Sequence, residues 1–379
     1  MGHKMRILCA VLAAVMLLGS RAGCSAPRLT IGGVSGKAAD IGDTELSAGE
    51  YLAYLYNAYY NIYYSQRLYM YAGYYDVWDR TYPYGEGDNA EKLKLAEYIK
   101  RTAQDSAVRQ YALEGLMKKY NVSWDADEEK KINENLKDTK EDAYLSLGIS
   151  NDHFISVYKK LNLNESSLFY TLYGEGGQRE VPEADRKAYF EKNYLSYKII
   201  SIPLTGSDNK ELDDAGKKKI TDRLGGYLAK YEETKNFEAV VDQYNADEKK
   251  DDEKKDDTSS TTSSDDEKKG STDKDNRKNV DANSISDTQL VEAIRSVDVG
   301  KAKVVTYKAN GSTATAALIL RLDINEPASL FTDETKNILY SLKYEEFDKE
   351  VDEAVAKITY KFRSSVVRKC DPKDFVQQK

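Results

Sequence analysis

The segment from Thr332 to about Val367 limits the possible folds of this 379-residue chain more than any other. Ile338, Leu342, Phe347, Val351, Val355, Ile358 and Phe362 recur there at helical spacing. They predict a long amphipathic helix, and such a helix needs a partner for its apolar stripe. The matching partner lies at the other end of the chain. Ser47-x-x-Glu50 reads as a capping box, in which each side chain satisfies the other residue's backbone N–H. Leu52, Leu55, Tyr59 and Ile62 follow at helical spacing, predicting a helix from Ala48 to about Tyr74. The two ends are therefore expected to fold together into one helical body.

Between them the pattern changes twice. Asn89 is placed to cap a helix from Ala90 to Tyr120, and Asp125-x-x-Glu128 opens another that runs to about Leu147. Shorter helices are predicted over Asn151–Leu161 and Glu165–Tyr173, and Ile41 to Leu46 reads as a short strand or turn. The N-terminal part is thus predicted all-helical. After Pro182 come a helix (Glu183–Asn193), a β-branched strand (Tyr197–Leu204), helices over Asp213–Tyr231 and Asn236–Tyr244, and strands at Ala302–Lys308 and Ala314–Leu322. Asn310-Gly311 in the last connection marks a hairpin. From Ala246 to Asn283 the only large apolar residue is Val280, so this stretch cannot bury enough surface to offset its ordering entropy and is expected to be a disordered insertion. The fold class is α+β.

The chain begins with His3, Lys4 and Arg6 and continues with an apolar run from Ile7 to Leu18, too short for a ~30 Å hydrocarbon core. This is the pattern of a signal peptide over residues 1–23. Ala22-Gly23-Cys24 resembles the lipobox of bacterial lipoproteins, in which the cysteine carries the lipid, although Arg21 stands where that family usually has Leu. Cleavage after Ala22 is the alternative. The expected location is the outer face of a bacterial cytoplasmic membrane, with residues 24–40 as a tether from a lipidated Cys24. Cys9 leaves with the signal, so no disulfide framework and no cysteine-rich metal site is expected. Net charge −8 and pI ≈ 5.2 argue against a nucleic-acid partner.

Tyrosine dominates the aromatic content, with 30 Tyr against 8 Phe and 2 Trp. Tyr51, Tyr54, Tyr59, Tyr63, Tyr69, Tyr71, Tyr74, Tyr75 and Trp78 crowd one region and at helical spacing spread over more than one face. Tyr51, Tyr54, Tyr59, Tyr63, Tyr71, Tyr75 and Trp78 are the candidate residues for holding extended polypeptide, because a phenol combines apolar ring area with a hydroxyl that tolerates water. Beyond the signal, His153 is the one histidine and reads as a satisfied cap residue, so neither a zinc site nor a Ser-His-Asp arrangement is expected. Gly174-Glu175-Gly176-Gly177 reads as a loop and not as a phosphate cradle. No metal and no cofactor is expected.

The order of these elements resembles the exported foldases of the PrsA and SurA type. Four segments carry it: Gly42 to Tyr51, Tyr189 to Tyr194 with Ile199 to Ile202, Asn236 to Tyr244, and Leu290 to Gly300 with the hairpin. The resemblance implies a helical chaperone domain (41–182 plus a C-terminal helix in 327–379) and an inserted parvulin-like prolyl isomerase module (183–326, interrupted at 246–283). It also implies an ATP-independent chaperone that binds unfolded exported polypeptides. The chain departs from parvulins where their paired histidines stand, since Ile199 and Leu318 occupy the approximate positions. The module is therefore expected to lack catalytic residues. The alternatives are an active prolyl isomerase with a non-standard site and an envelope assembly protein with one dedicated partner.

Overall fold

The computed structural model describes residues 36–64, 66–71, 74, 76–85, 87, 90–137, 139, 142–206, 209–253 and 277–375. The signal and Cys24 readings and the tether up to residue 35 lie outside the described residues, as do Asn89, Tyr75 and the middle of the expected insertion. The expected tether to residue 40 is too long, because Lys37–Ile41 is a strand paired on both sides. In chain order the main elements are β1 (Lys37–Ile41), β2 (Thr44–Ser47), α1 (Ala48–Tyr59), β3 (Thr81–Tyr84), β4 (Glu91–Lys94), α2 (Leu95–Tyr120), α3 (Ala126–Lys137), α4 (Asn151–Tyr173) and α5 (Glu183–Asn193). They continue with β5 (Tyr194–Pro203), α6 (Asp214–Thr234), α7 (Phe237–Glu253), β6 (Lys278–Asp281), α8 (Thr288–Arg295), β7 (Ala302–Ala309), β8 (Thr313–Leu322), α9 (Thr335–Lys357) and β9 (Tyr360–Phe362). Two compact units result: one joins the chain up to Glu180 with the chain from Leu342 onward, and the other is Val181–Ser341.

In the first unit the two ends meet. The capping box forms, with Glu50 N–H donating to Ser47 Oγ and Ser47 N–H to Glu50 Oε2, each at 3.1 Å. Phe362 packs on Tyr51 at 5.9 Å, and Phe375 packs edge-on against Tyr59 at 5.1 Å. Polar groups reinforce the closure. Arg109 on α2 pairs with Glu165 on α4 at 3.0 Å and with Asp348 on α9 at 2.8 Å. Arg179 pairs with Glu350 at 2.6 Å.

This unit is not all-helical, and the departures have local causes. A three-stranded antiparallel sheet runs in the order β2-β1-β9, with Ala39 opposite Phe362 and Ile41 opposite Tyr360. The expected helix to Val367 ends at Lys357, since Ile358, Thr359, Tyr360 and Phe362 suit a strand and β1 offers an open edge. The helix expected from Ala90 starts at Leu95, because Glu91–Lys94 pairs with Thr81–Tyr84. The helix expected to reach Leu147 stops at Lys137, and α1 stops at Tyr59. Asn121 closes α2 in the left-handed conformation that Asn tolerates, with φ 54°.

In the second unit, four antiparallel strands lie in the order β6-β5-β8-β7. Both faces are covered, so the middle of β8 is apolar: Ala316, Leu318 and Leu320 face α6 and α7, while Ala317 and Ile319 face α8. Asn310 and Gly311 take positive φ (50° and 73°) in the hairpin turn. The expected insertion is narrower at both ends than its composition implied. Helix α7 continues to Glu253, and Lys278–Asp281 forms β6, with Val280 opposite Leu195. Val280 packs into the α8 side of the sheet, which draws the polar strand in. At its C-terminal end this unit extends past residue 326, since Phe331 packs on Phe190 at 5.6 Å and Tyr194 donates to Glu334 at 3.1 Å.

Candidate functional site

In the second unit, the two positions that resemble the parvulin histidine sites do not share a face of the sheet. Across β5 and β8, Ile199 is opposite Ile319 and Ile200 is opposite Leu318. Alternation then places Ile199 with the α8 core and Leu318, fully buried, with the α6–α7 core. The two positions that resemble the histidine sites thus lie on opposite faces of the sheet. Sequence order brought them together, but the pleat separates them. His153 is a satisfied structural residue, with Nδ1 3.0 Å from Ser150 Oγ and Nε2 3.4 Å from Ser47 Oγ. Its ring sits where a Cβ on Gly49 would be only 2.1 Å away, so Gly49 makes room for it. The Gly174–Gly177 loop closes α4 through Gly174 N–H donating to Tyr170 O at 2.8 Å. Among the described residues no His, Cys, Asp or Glu cluster suits a metal ion.

The first unit concentrates exposed apolar surface at one place. Five of the eight exposed large apolar side chains among the described residues lie between Tyr64 and Tyr74: Tyr64 (42%), Tyr69 (50%), Met70 (53%), Tyr71 (46%) and Tyr74 (86%). Natural monomers rarely leave such residues clustered without a use. Local structure produces the exposure. After Tyr59 the helix widens into a π-turn over Tyr60–Tyr64, where Tyr59 stacks on Tyr63 (5.2 Å) and Tyr60 on Tyr64 (5.0 Å). Such turns are frequent at functional sites. Arg67 then takes φ 52°, which ends the helical path and starts a 3-10 turn over Leu68–Met70. Leu68, 2% exposed, anchors that turn and leaves its neighbours outward.

Half-buried rings, with the buried Phe154 among them, connect to this surface along the helices. Tyr158 and Phe154 are 5.8 Å apart, Phe154 and Tyr56 6.4 Å, Tyr56 and Tyr60 6.4 Å, and Tyr64 and Tyr69 5.7 Å. A small surface dimple lined by Tyr56, Asn57, Phe154, Tyr158 and Leu161 sits at the far end. Only Arg67 carries charge between Tyr51 and Tyr75, in a chain with 32% charged residues. Such a surface recognises by ring contact and hydroxyl hydrogen bonds and not by Coulomb attraction.

The structure redistributes the tyrosines expected to hold polypeptide. Tyr51, Tyr54, Tyr59 and Tyr63 are core residues, at most 3% exposed. Burial pushes the Tyr51, Tyr54 and Tyr59 hydroxyls well above their ordinary pKa. Tyr71 is outward, Tyr75 lies outside the described residues, and Trp78 is half-buried and stacks on Tyr63 at 5.7 Å as a support. Tyr64, Tyr69, Met70 and Tyr74 are additions to the candidate set; the long run almost without charge is the sequence signal that marks them.

No family model and no curated protein matches the chain. Solved structures similar over most of its length include two foldases. The foldase protein PrsA from Streptococcus pneumoniae has a TM-score of 0.30 at 13% identity, covering 78% of this chain and 92% of that one. The foldase protein PrsA from Lactococcus lactis has a TM-score of 0.34 at 14% identity, covering 73% and 90%. No helix among the described residues is long and apolar enough to cross a membrane. The chain resembles the PrsA foldases, at low similarity.

Proposed function

We propose that this chain is an extracytoplasmic, ATP-independent chaperone that holds unfolded exported polypeptides on the Tyr64–Tyr74 surface. The observation that carries the reading is the cluster of outward tyrosines and Met70 within an almost uncharged stretch. Rings with hydroxyl edges accept apolar segments of many sequences, and methionine adapts its shape to them. The signal-like start and Cys24 support anchoring at the outer face of the membrane, where emerging chains need cover. The second unit serves as a parvulin-like module without isomerase chemistry, because Ile199 and Leu318 cannot face a common substrate.

The test is suppression of aggregation of a reduced, unfolding client by the mature protein. Substituting Tyr64, Tyr69, Tyr71 and Tyr74 together by Ser is expected to abolish protection while leaving the thermal melt in place, since these side chains stand outside the core. Protection in wild type should persist as salt rises, because little charge is involved. Full protection by the folded four-site variant would refute the proposal. A pull-down that returns one stoichiometric companion, with no general protection, would favour a dedicated assembly partner instead.

A further inference from the structure

The second unit carries an unpaired sheet edge whose chemistry the tyrosine surface does not use. Strand β7 is outermost in its sheet and pairs only with β8. Its backbone directions follow from bonds at both ends. Leu204 N–H donates to Ala314 O at 2.7 Å, so Ala314 turns its peptide groups toward β5 and its partner Lys308 turns its own away from β8. At the other end, Arg321 bonds back to Gly300 and Lys301, so Ile319, Ala317 and Thr315 face β7 at period two. Lys303, Val305 and Tyr307 therefore bond inward. Ala302, Val304, Thr306 and Lys308 direct their N–H and C=O groups to the outer edge.

One of those four donors is capped: Lys308 N–H donates to Gln289 Oε1 at 2.9 Å. No described group accepts the outward N–H of Ala302, Val304 or Thr306. Natural edges are usually shortened, bulged, broken by proline or guarded by charge, above all lysine, and only the last of these devices is present on β7. Here the register runs unbroken from Ala302 to Ala309 without proline, and apolar side chains (Val304, Val305, Tyr307) flank both faces. The charged residues of the strand and of the residue before it are Lys301, Lys303 and Lys308, all exposed. A second copy laid on this edge would set lysines against lysines, which disfavours pairing. An acidic strand would meet opposite charge.

We infer that the outer edge of β7 captures an extended polypeptide segment with acidic flanks as a fifth strand of the sheet. Main-chain bonds to Ala302, Val304 and Thr306 give the affinity, about six in number from the alternation of an antiparallel pair. The lysines select the charge. The inference shares with the proposed function only the class of ligand, an unfolded polypeptide, and it places that ligand in the other unit.

The test is fluorescence polarisation of a labelled peptide of about eight alternating valines and threonines, with aspartates at both ends, titrated with the full chain. Saturable binding is expected below about 1 mM, and at least about tenfold weaker binding of a lysine-flanked version. Thr306→Pro removes an outward donor without breaking a bond to β8, a position where edge strands tolerate proline. It is expected to weaken binding about tenfold or more with the melting temperature nearly unchanged. If that variant does not fold, amide exchange in wild type decides. The peptide should slow exchange at Val304 and Thr306 and leave Val305 and Tyr307, already bonded, as they were. The four-tyrosine variant should bind this peptide like wild type, which separates a failure here from a failure of the tyrosine surface. Equal binding by folded Thr306→Pro, equal binding of the lysine-flanked peptide, absence of saturation, or unchanged exchange at Val304 and Thr306 would each overturn the inference.

Discussion

Phe375→Ala tests how the chain's C-terminal end is held to its N-terminal helix. Phe375 is 8% exposed and belongs to the main core of the first unit. Its ring meets Tyr59 at 5.1 Å and Tyr56 at 6.0 Å, both edge-on. Truncating a buried Phe costs about 3–5 kcal/mol through lost transfer energy and the cavity left behind. The site lies at the margin of the core, where neighbours can relax inward, so about 3 kcal/mol is the expected loss. Phe375→Leu keeps most of the volume and gives up the two ring contacts, for about 1–1.5 kcal/mol. Both tryptophans, Trp78 and Trp124, belong to the first unit, so their fluorescence in a urea titration reports on that unit alone. With a slope of about 2 kcal/mol per molar, the alanine variant's midpoint falls by about 1.5 M and the leucine variant's by less. A loss below about 1 kcal/mol for Phe375→Ala would refute the placement of this residue against α1.

Burial alone would raise the Glu350 carboxyl, but hydrogen bonds from Arg179 and Tyr120, with Lys119 nearby, hold it down to about 2. Its folded pKa lies below the unfolded one, so its contribution is present above about pH 4.5 and is lost as pH falls toward 2. After allowance for solvent screening this amounts to about 1–2 kcal/mol. Comparing urea midpoints of wild type and Glu350→Gln across that window should show the difference narrowing with acid; a constant difference would contradict it. Cys370 is fully buried, and burial pushes its thiol up to about 11. It should resist alkylation at pH 8 in the native protein and react on unfolding. Ile199→His with Leu318→His should yield no isomerase activity in a protease-coupled peptide assay, because the two rings would point to opposite sides of the sheet.

Much of this architecture was legible in the sequence. The apolar stripe through Phe347 and Val351 and the capping box at Ser47 pointed to joined chain ends, and Asn310-Gly311 marked the hairpin. Strands β1, β3, β4 and β9 escaped because each has only three to five residues; β1 and β9 also depend on a pairing far off in sequence, as Ala39 with Phe362, while β3 and β4 form a polar local hairpin. Strand β6 escaped because three of its four residues are polar and only Val280 anchors it. The tyrosine region was found, but its inner and outer members were not separable. Helical periodicity assigns faces only while the turn stays at 3.6 residues, and the π-turn at Tyr60–Tyr64 breaks that count. The Ile199 and Leu318 positions were matched by order along the chain, which carries no information about sheet face until the register is known.

Site-specific photo-crosslinking tests the central claim most directly. A photoreactive side chain would replace Tyr71, Tyr74 or, as a control, the exposed Tyr360 of β9 in the same unit. An unfolded client added before irradiation should crosslink strongly from positions 71 and 74 and only at background from 360. Equal yields from all three positions, or none above background from 71 and 74 while aggregation is still suppressed, would contradict the account.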